Sequence, residues 1–254
     1  MGQRRFVQVD ADRLTGWVDG FVTRHGGARA HATASGLALS GADGATAQVE
    51  LPFLPWGAPD EPSAAPSGSS STRPSTDPST DPSVPDPAGA STLAVAAVAH
   101  IRSDRTLLVL LVRRGGYGVG VLRVGAGADD VLASKVGGTY VQGRTAAGGW
   151  SQQRFARRRD NQVTDLVGRA AEVAVRLLVP ASSPVPATAA AWLVTGGDAR
   201  LVDRALADPR LAALNRLPRA APLTVADPRA AVVAHVGHDL RRLRIGLLDP
   251  DPAP

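Results

Sequence analysis

The chain has no cysteine, so it can form neither disulfides nor thiolate metal sites, which suits a reducing compartment. Aromatic residues are scarce, at 4% against 44% apolar residues overall, so any core must be built largely from Leu, Val and Ala. No apolar run reaches the ~18 residues that crossing a bilayer takes. The opening MGQRRFVQVDADR lacks the apolar stretch of a secretory signal, so a cytoplasmic protein without membrane contact is expected. Lysine is almost missing as well: Lys135 is the only one among 28 basic residues, the other 27 being arginines. Together with the wealth of Ala, Gly and Pro, that bias is the mark of GC-rich coding. The number of arginines therefore says nothing of function, and their placement has to carry the argument.

Acidic residues are absent from one particular stretch. Between Lys135 and Arg159 stand Lys135, Arg144, Arg154, Arg157, Arg158 and Arg159 with no Asp or Glu, a charge of +6 against +5 for the whole chain. The rest of the molecule thus sums to −1, and the positive charge is local, as on a surface that meets phosphates. Its densest piece is GRTAAGGWSQQRFARRR, residues 143–159, which adds two adjacent glycines, a tryptophan and two glutamines.

Around this stretch the sequence lays out its elements. In DADRLTGWVDGFVTRHGG, residues Leu14, Trp17, Val18, Phe21 and Val22 recur at helical spacing, with Asp10 or Asp12 to cap the start and Gly26 to end it. LALSGADGATAQVELPF reads as two strands about the turn GADG. Residues 57–90 hold eight prolines and eight serines and almost no apolar side chains, so they are expected to form a disordered linker. After it, STLAVAAVAHI suits a short helix, and three strands follow as a meander: 107–112, 117–124 and 131 to about 141. A long helical pattern, FARRRDNQVTDLVGRAAEVAVRLL, is stopped by Pro180. AWLVTGGD predicts a fourth strand with Asp198 capping the next helix, and PLTVADP a fifth with Asp227 as cap and Pro228 in the first helical position. LRIGLL is a candidate terminal strand. The expectation is an α/β protein with one mixed sheet of five to six strands, of ribonuclease-H-like type and with helices on both faces. It divides into an N-terminal helix and hairpin (1–56), the linker (57–90) and a larger domain (91–254).

Few residues invite chemistry. A two-metal nuclease would need clustered carboxylates, yet Glu172 stands alone and Asp198 is explained as a cap. His235 and His238 lack a third ligand and are read as ordinary histidines. TGGD could hold a phosphate on backbone amides, but a tight turn explains it as well. The arginines are different. Arg154, Arg157 and Arg158 share a helix face at a helix start, where cations oppose the macrodipole and cost stability unless a polyanion is bound. Ahead of them, in what reads as a loop, Gly148 and Gly149 allow close backbone approach, and Trp150 can stack on a base or anchor the loop. Gln152 and Gln153 carry amides that do not titrate; such a group can orient a water but cannot act as a base.

SKVGGTYVQGRTAAGGWSQQRFARRRDNQ resembles the Vms-like release-factor domains, most closely those of the actinobacterial peptidyl-tRNA hydrolases, and the resemblance covers roughly residues 91–250. That family is related to the catalytic domain of eukaryotic-type class I release factors and carries a Gly-x-x-Gln motif, which falls on Gly149, Trp150, Ser151 and Gln152. Gln153 leaves the frame of the motif open. The resemblance implies hydrolysis of the peptidyl-tRNA ester on stalled or split large ribosomal subunits, with no metal or small cofactor. It implies Gln152, with Gly149 and Gln153, as catalytic. Arg144, Arg154, Arg157, Arg158, Arg159, Lys135 and Trp150 would hold RNA. The large subunit and peptidyl-tRNA are the expected partners of a monomer. Cleavage of tRNA near its 3′ end, or RNA binding without catalysis, are the alternatives.

Overall fold

A computed structural model describes residues 4–57, 86–138, 150–182 and 190–249. The chain is mixed α/β with two sheets and, among the described residues, five α-helices, arranged as two compact units. One unit comprises residues 1–51, 55–100 and 243–254, the other 52–54 and 101–242. The single sheet of five to six strands is therefore corrected to one of five strands and one of four.

The first unit contains β1 (Arg5–Asp10), α1 (Leu14–Arg24), β2 (Ala28–Thr33), β3 (Gly36–Gly41), β4 (Thr46–Glu50), α2 (Pro87–Ile101) and β9 (Arg242–Leu248), with strand order β1-β9-β4-β3-β2. β3 and β4 are the expected hairpin. On β3, β4 and β9 alternate residues, Leu37, Leu39, Ala47, Val49, Leu243, Ile245 and Leu247, are buried, and apart from Gly36 their neighbours in these strands are not, the period of a sheet with one covered face. LRIGLL, the candidate terminal strand, pairs antiparallel with β4, Ile245 opposite Val49. β1 and β2 went unread because ARAHAT and RFVQVD carry too few large apolar residues to signal alternation. α1 buries Leu14, Val18 and Phe21 as its spacing requires, but the side chain of Asp10 makes no capping bond. The expected linker lies outside the described residues except at its ends. α2 starts at Pro87 inside it, where Asp86 accepts from the amide of Gly89 at 2.9 Å.

The corner after α1 is pinned by a polar contact. Gly26 and Gly27 take φ of 67° and 110°, and between the helix and these glycines His25 is buried against the Phe21 ring. Its Nδ1 lies 2.8 Å from Asp43 Oδ2 in the β3–β4 turn, while Asp43 Oδ1 accepts from the amide of Ala45. The hydrogen bond with His25, and then the one from Ala45, hold the Asp43 carboxyl below its ordinary value.

The second unit contains β5 (Arg105–Arg113), β6 (Gly116–Val124), β7 (Asp130–Gly138), α3 (Trp150–Ser182), β8 (Ala190–Gly197), α4 (Ala199–Leu206) and α5 (Ala230–Leu240), with strand order β7-β6-β5-β8. β5, β6 and β7 form the expected antiparallel meander, and β8 runs parallel to β5. Helices cover both faces. Leu108, Leu110 and Val112 of β5 join α3 and α4 in one core, whereas Leu107, Val109 and Leu111 join Val233, Val236 and Leu240 of α5 in another. On the α5 side, β6 presents glycines: a Cβ on Gly118 or Gly120 would come within 2.7 or 2.5 Å of the Val233 methyls, so α5 packs directly on backbone.

Three expectations about this unit need correcting. α3 passes Pro180 and ends at Ser182. PLTVADP is no strand; the chain there touches β8 only through isolated bridges, Leu193 with Arg219 and Gly196 with Leu223, because Pro218 and Pro222 cannot donate to a ladder. Asp227 does not cap α5. It pairs with Arg229 at 2.7 Å, and the helix opens at Ala230 without a side-chain cap.

Two outcomes follow from this architecture. Removing residues 242–254 deletes the strand between β1 and β4, and limited proteolysis should then degrade the first unit rapidly while a fragment near 101–241 persists. Survival of both units would mean that β9 is dispensable. For Asp43, whose carboxyl titrates below 3.8 when folded, the stabilisation is complete above that value and is lost as the pH falls through the folded value. Asp43→Asn should lower the melting temperature at neutral pH and flatten its fall below about pH 4; an unchanged acid limb in melts across this range would contradict the pairing.

Candidate functional site

β7 stops at Gly138 and α3 opens at Trp150, so the segment singled out by charge bridges these two elements. Arg144 and Gly149 lie outside the described residues. Trp150, Ser151, Gln152 and Gln153, expected in a loop, form the first turn of α3, since from Trp150 onward no residue disfavours a helix strongly. The side chains of Trp150, Gln152, Gln153, Arg154 and Arg159 are not among those described. Arg157, Arg158 and Lys135 are described, and all three are exposed.

The direction of the elements fixes where this helix start stands. β8 begins at Ala190 opposite Arg105 and ends at Gly197 opposite Val112, climbing alongside β5. β7 ends at Gly138 opposite Gly116, at that same upper end, so α3 descends from there to reach the foot of β8. Its 33 residues span roughly 50 Å at ~1.5 Å each. The nine residues of β5 span only about 30 Å. Helix and strand cannot match in length, and burial shows how the excess is distributed. The buried stripe of α3 runs from Leu166 through Ala170 and Ala174 to Leu178, with Val163 packed at its margin. Before it, Arg157, Arg158, Asp160 and Asn161 are exposed. α3 is thus longer than the strand it covers, and the described side chains ahead of its buried stripe include the exposed Arg157 and Arg158.

Lys135 belongs to the same side. It pairs across β6 with Val119, and Val119 lies in the core that α3 covers. Directly opposed residues point to one face, so Lys135 on the edge strand faces as α3 does. Lys135 therefore shares its sheet face with α3, the helix that carries Arg157 and Arg158. Two exposed arginines that the sequence reading passed over, Arg114 and Arg200, stand at the same end of the sheet. They come from distant segments and form no run along the chain; only strand register could have found them.

Other candidates have structural partners. At TGGD, the amide of Gly197 donates to Leu223 O, that of Asp198 to Val112 O, and those of Arg200 and Leu201 to the Asp198 side chain. These four amides are committed to the fold, and a tight turn explains the segment. Gly197 has φ 96°, and a Cβ there would collide with Val112 O. Asp198 caps α4 as expected. Glu172 accepts from Arg210 at 2.9 Å, and Arg210 also holds Asp208, whose carboxyl it keeps below the ordinary range. His235 Nδ1 lies 2.8 Å from Ala231 O, and the His235 and His238 rings are 6.5 Å apart. Among the described residues no three His, Asp or Glu side chains gather as metal ligands would, and no helix is long and apolar enough to cross a membrane.

The candidate site is thus the start of a long helix with exposed arginines, preceded in sequence by a glycine-rich, acid-free stretch, a combination suited to a polyanion. Residues 105–246 match the family model described as Actinobacteria/chloroflexi VLRF1 release factor. The match spans 142 of 254 residues, more than half of the chain. No curated protein matches it.

Arginines that hold the fold should be separable from those that do not. Arg241 binds both carboxylate oxygens of Asp129, at 2.9 and 2.6 Å, and both side chains are largely buried. Arg241→Gln should cost roughly 2 kcal/mol of stability. Arg157→Gln with Arg158→Gln should leave the melting temperature nearly unchanged, because both side chains are exposed and glutamine suits a helix. Thermal melts of the two variants check this, and equal destabilisation would make the α3 arginines structural.

Proposed function

The chain belongs to the family of Actinobacteria/chloroflexi VLRF1 release factors, and on that premise we propose that it hydrolyses the peptidyl-tRNA ester on stalled or split large ribosomal subunits. The observation that carries this reading is the placement of Trp150–Gln153 in the first turn of a long helix on which Arg157 and Arg158 are exposed. The strand order of the second unit, three antiparallel strands followed by helix and parallel strand, supports grouping it with ribonuclease-H-like catalytic domains.

In the proposed reaction Gln152 holds a water against the ester carbonyl carbon. Its amide accepts from that water without taking the proton, so positioning and not basicity is its contribution. As the water oxygen bonds to the carbonyl carbon, negative charge collects on the carbonyl oxygen, and backbone amides near Gly149 stabilise it. The bond to the tRNA ribose oxygen then breaks and that oxygen is protonated. The products are a free peptide carboxylate and a tRNA with its terminal hydroxyl restored. Arg154, Arg157, Arg158, Arg159, Arg144 and Lys135 neutralise RNA phosphates and deliver the loop, with Trp150 available to stack on a base. The family places the chain in translation; the large subunit and peptidyl-tRNA as its partners are part of this reading.

The test is peptide release from purified large subunits carrying peptidyl-tRNA, with tRNA length followed on the same gel. Gln152→Ala should lose release by a factor of roughly 100 or more, the scale of losing one positioning group, while Gln153→Ala retains most of it. Intact tRNA after release supports ester hydrolysis, and shortened tRNA would replace it with nuclease action. Full release by Gln152→Ala would remove the assignment of that residue.

A further inference from the structure

The exposed cations at the upper end of the four-stranded sheet do not all come from residues 135–159. Arg114 occupies the tight turn joining β5 to β6, between Arg113, which pairs with Gly116, and Gly115. That turn adjoins the point where β7 ends: a Cβ on Gly138 would stand 3.1 Å from Gly115 O. Arg114 is therefore a near neighbour of the last residue before the glycine-rich crossover. Arg113 is different, because its Nη1 donates to Val225 O at 2.7 Å and serves the fold.

Arg200 arrives from the other side. The amide of Asp198 donates to Val112 O at 2.8 Å, which sets the start of α4 against the end of β5. Lower down, Arg204 Nη2 donates to Thr164 Oγ1 at 3.0 Å, and α3 and α4 both descend from the upper end. Arg200 is one turn above Arg204, as Asp160 is one turn above Thr164, so Arg200 stands level with the segment that carries Arg157 and Arg158. Among the described residues neither Arg114 nor Arg200 has its guanidinium in an ion pair, whereas Arg210, Arg229 and Arg241 do. The carboxylates near this end are committed: Asp198 to its helix cap and Asp227 to Arg229. Asp160 is the exposed exception.

We infer that Arg114 and Arg200 are a second phosphate-binding element, gripping the tRNA backbone across the strand ends while the start of α3 reaches past them. Four strand ends at ~4.8 Å spacing make a row roughly 15 Å wide, with Lys135 on its outer strand, Arg114 at its middle and Arg200 at the far side. The row is wide enough for several consecutive phosphates. Contacts on both sides of the start of α3 fix its direction, which a patch confined to the α3 arginines would leave free to swivel. This inference rests on the reading of the chain as a tRNA-directed factor.

The experiment is binding to total deacylated tRNA across a salt titration, using the full chain. Arg114→Gln with Arg200→Gln should bind more weakly, with a salt slope shallower by about two units, one per lost contact. The melting temperature should not change. Arg114→Lys with Arg200→Lys should restore the slope, because neutralising phosphates needs the charge and not the guanidinium fork. Arg176→Gln, toward the other end of α3, should leave the slope as in the wild type. An unaltered slope in the glutamine pair would overturn the inference, as would a lysine pair as shallow as the glutamine pair. Peptide release by the wild-type chain reports separately on the proposed function: release with an unaltered slope defeats only the second element, and a changed slope without release defeats only the hydrolase.

Discussion

Burial of β5 on both faces is the constraint from which the second unit follows. Leu107 through Val112 expose no surface, so both sides of this strand must be covered by something apolar. Strand alternation assigns the even residues to α3 and α4 and the odd ones to α5, giving two cores that share one backbone. A strand so placed must also be central, which is why β6 and β8 flank it and β7 is left as an edge. The buried Arg105 at its foot is tolerated because its guanidinium lies over the Phe53 ring at 4.3 Å and donates to the carbonyls of Ile101 and Ser103. Burial still lowers its pKa, the mark of a cation retained at some cost.

Fixing β5 fixes the site. The carboxyl ends of β5 and β8 coincide, α3 has to travel down from that end, and its length exceeds the height of the sheet. The first turn of that helix holds Trp150, Ser151, Gln152 and Gln153. The sequence there offers no acidic residue to suit the helix dipole. Acidic residues that would serve stability are missing where arginines are dense, and such a conflict is where function is expected to show.

The elements legible in the sequence were those whose signal is local. The meander shows in LLVLLV and its glycine turns, α1 in its spacing from Leu14 to Val22, and the cap of α4 in Asp198. What escaped depended on distant partners. LRIGLL reads as a strand, but its partner, β4, lies almost 200 residues earlier. PLTVADP alternates as a strand should, yet its prolines deny it a ladder. The glutamines and arginines of the site were visible because they are contiguous. The arginines were read on a helix but the glutamines were not, since two glycines and a tryptophan look like a loop until the helix behind them is seen to extend. Arg114 and Arg200 could not be found by reading along the chain at all, because only the register of β5 with β8 brings their segments together.

The position of β9 also sets a timetable for synthesis. β1 has no partner in its sheet except β9, and β4 has β9 on one side, so two strands made early stand with open edges until residues 242–248 emerge. Between Gln48 and its partner Gly246 lies the entire second unit. At ~5–20 residues per second that interval is roughly 10–40 s. During it the first unit is an incomplete sheet with exposed backbone donors and acceptors, and the second can already close around β5. A factor of this design would complete its own first unit only after its second had been made, and during that interval it depends on whatever shields β1 and β4.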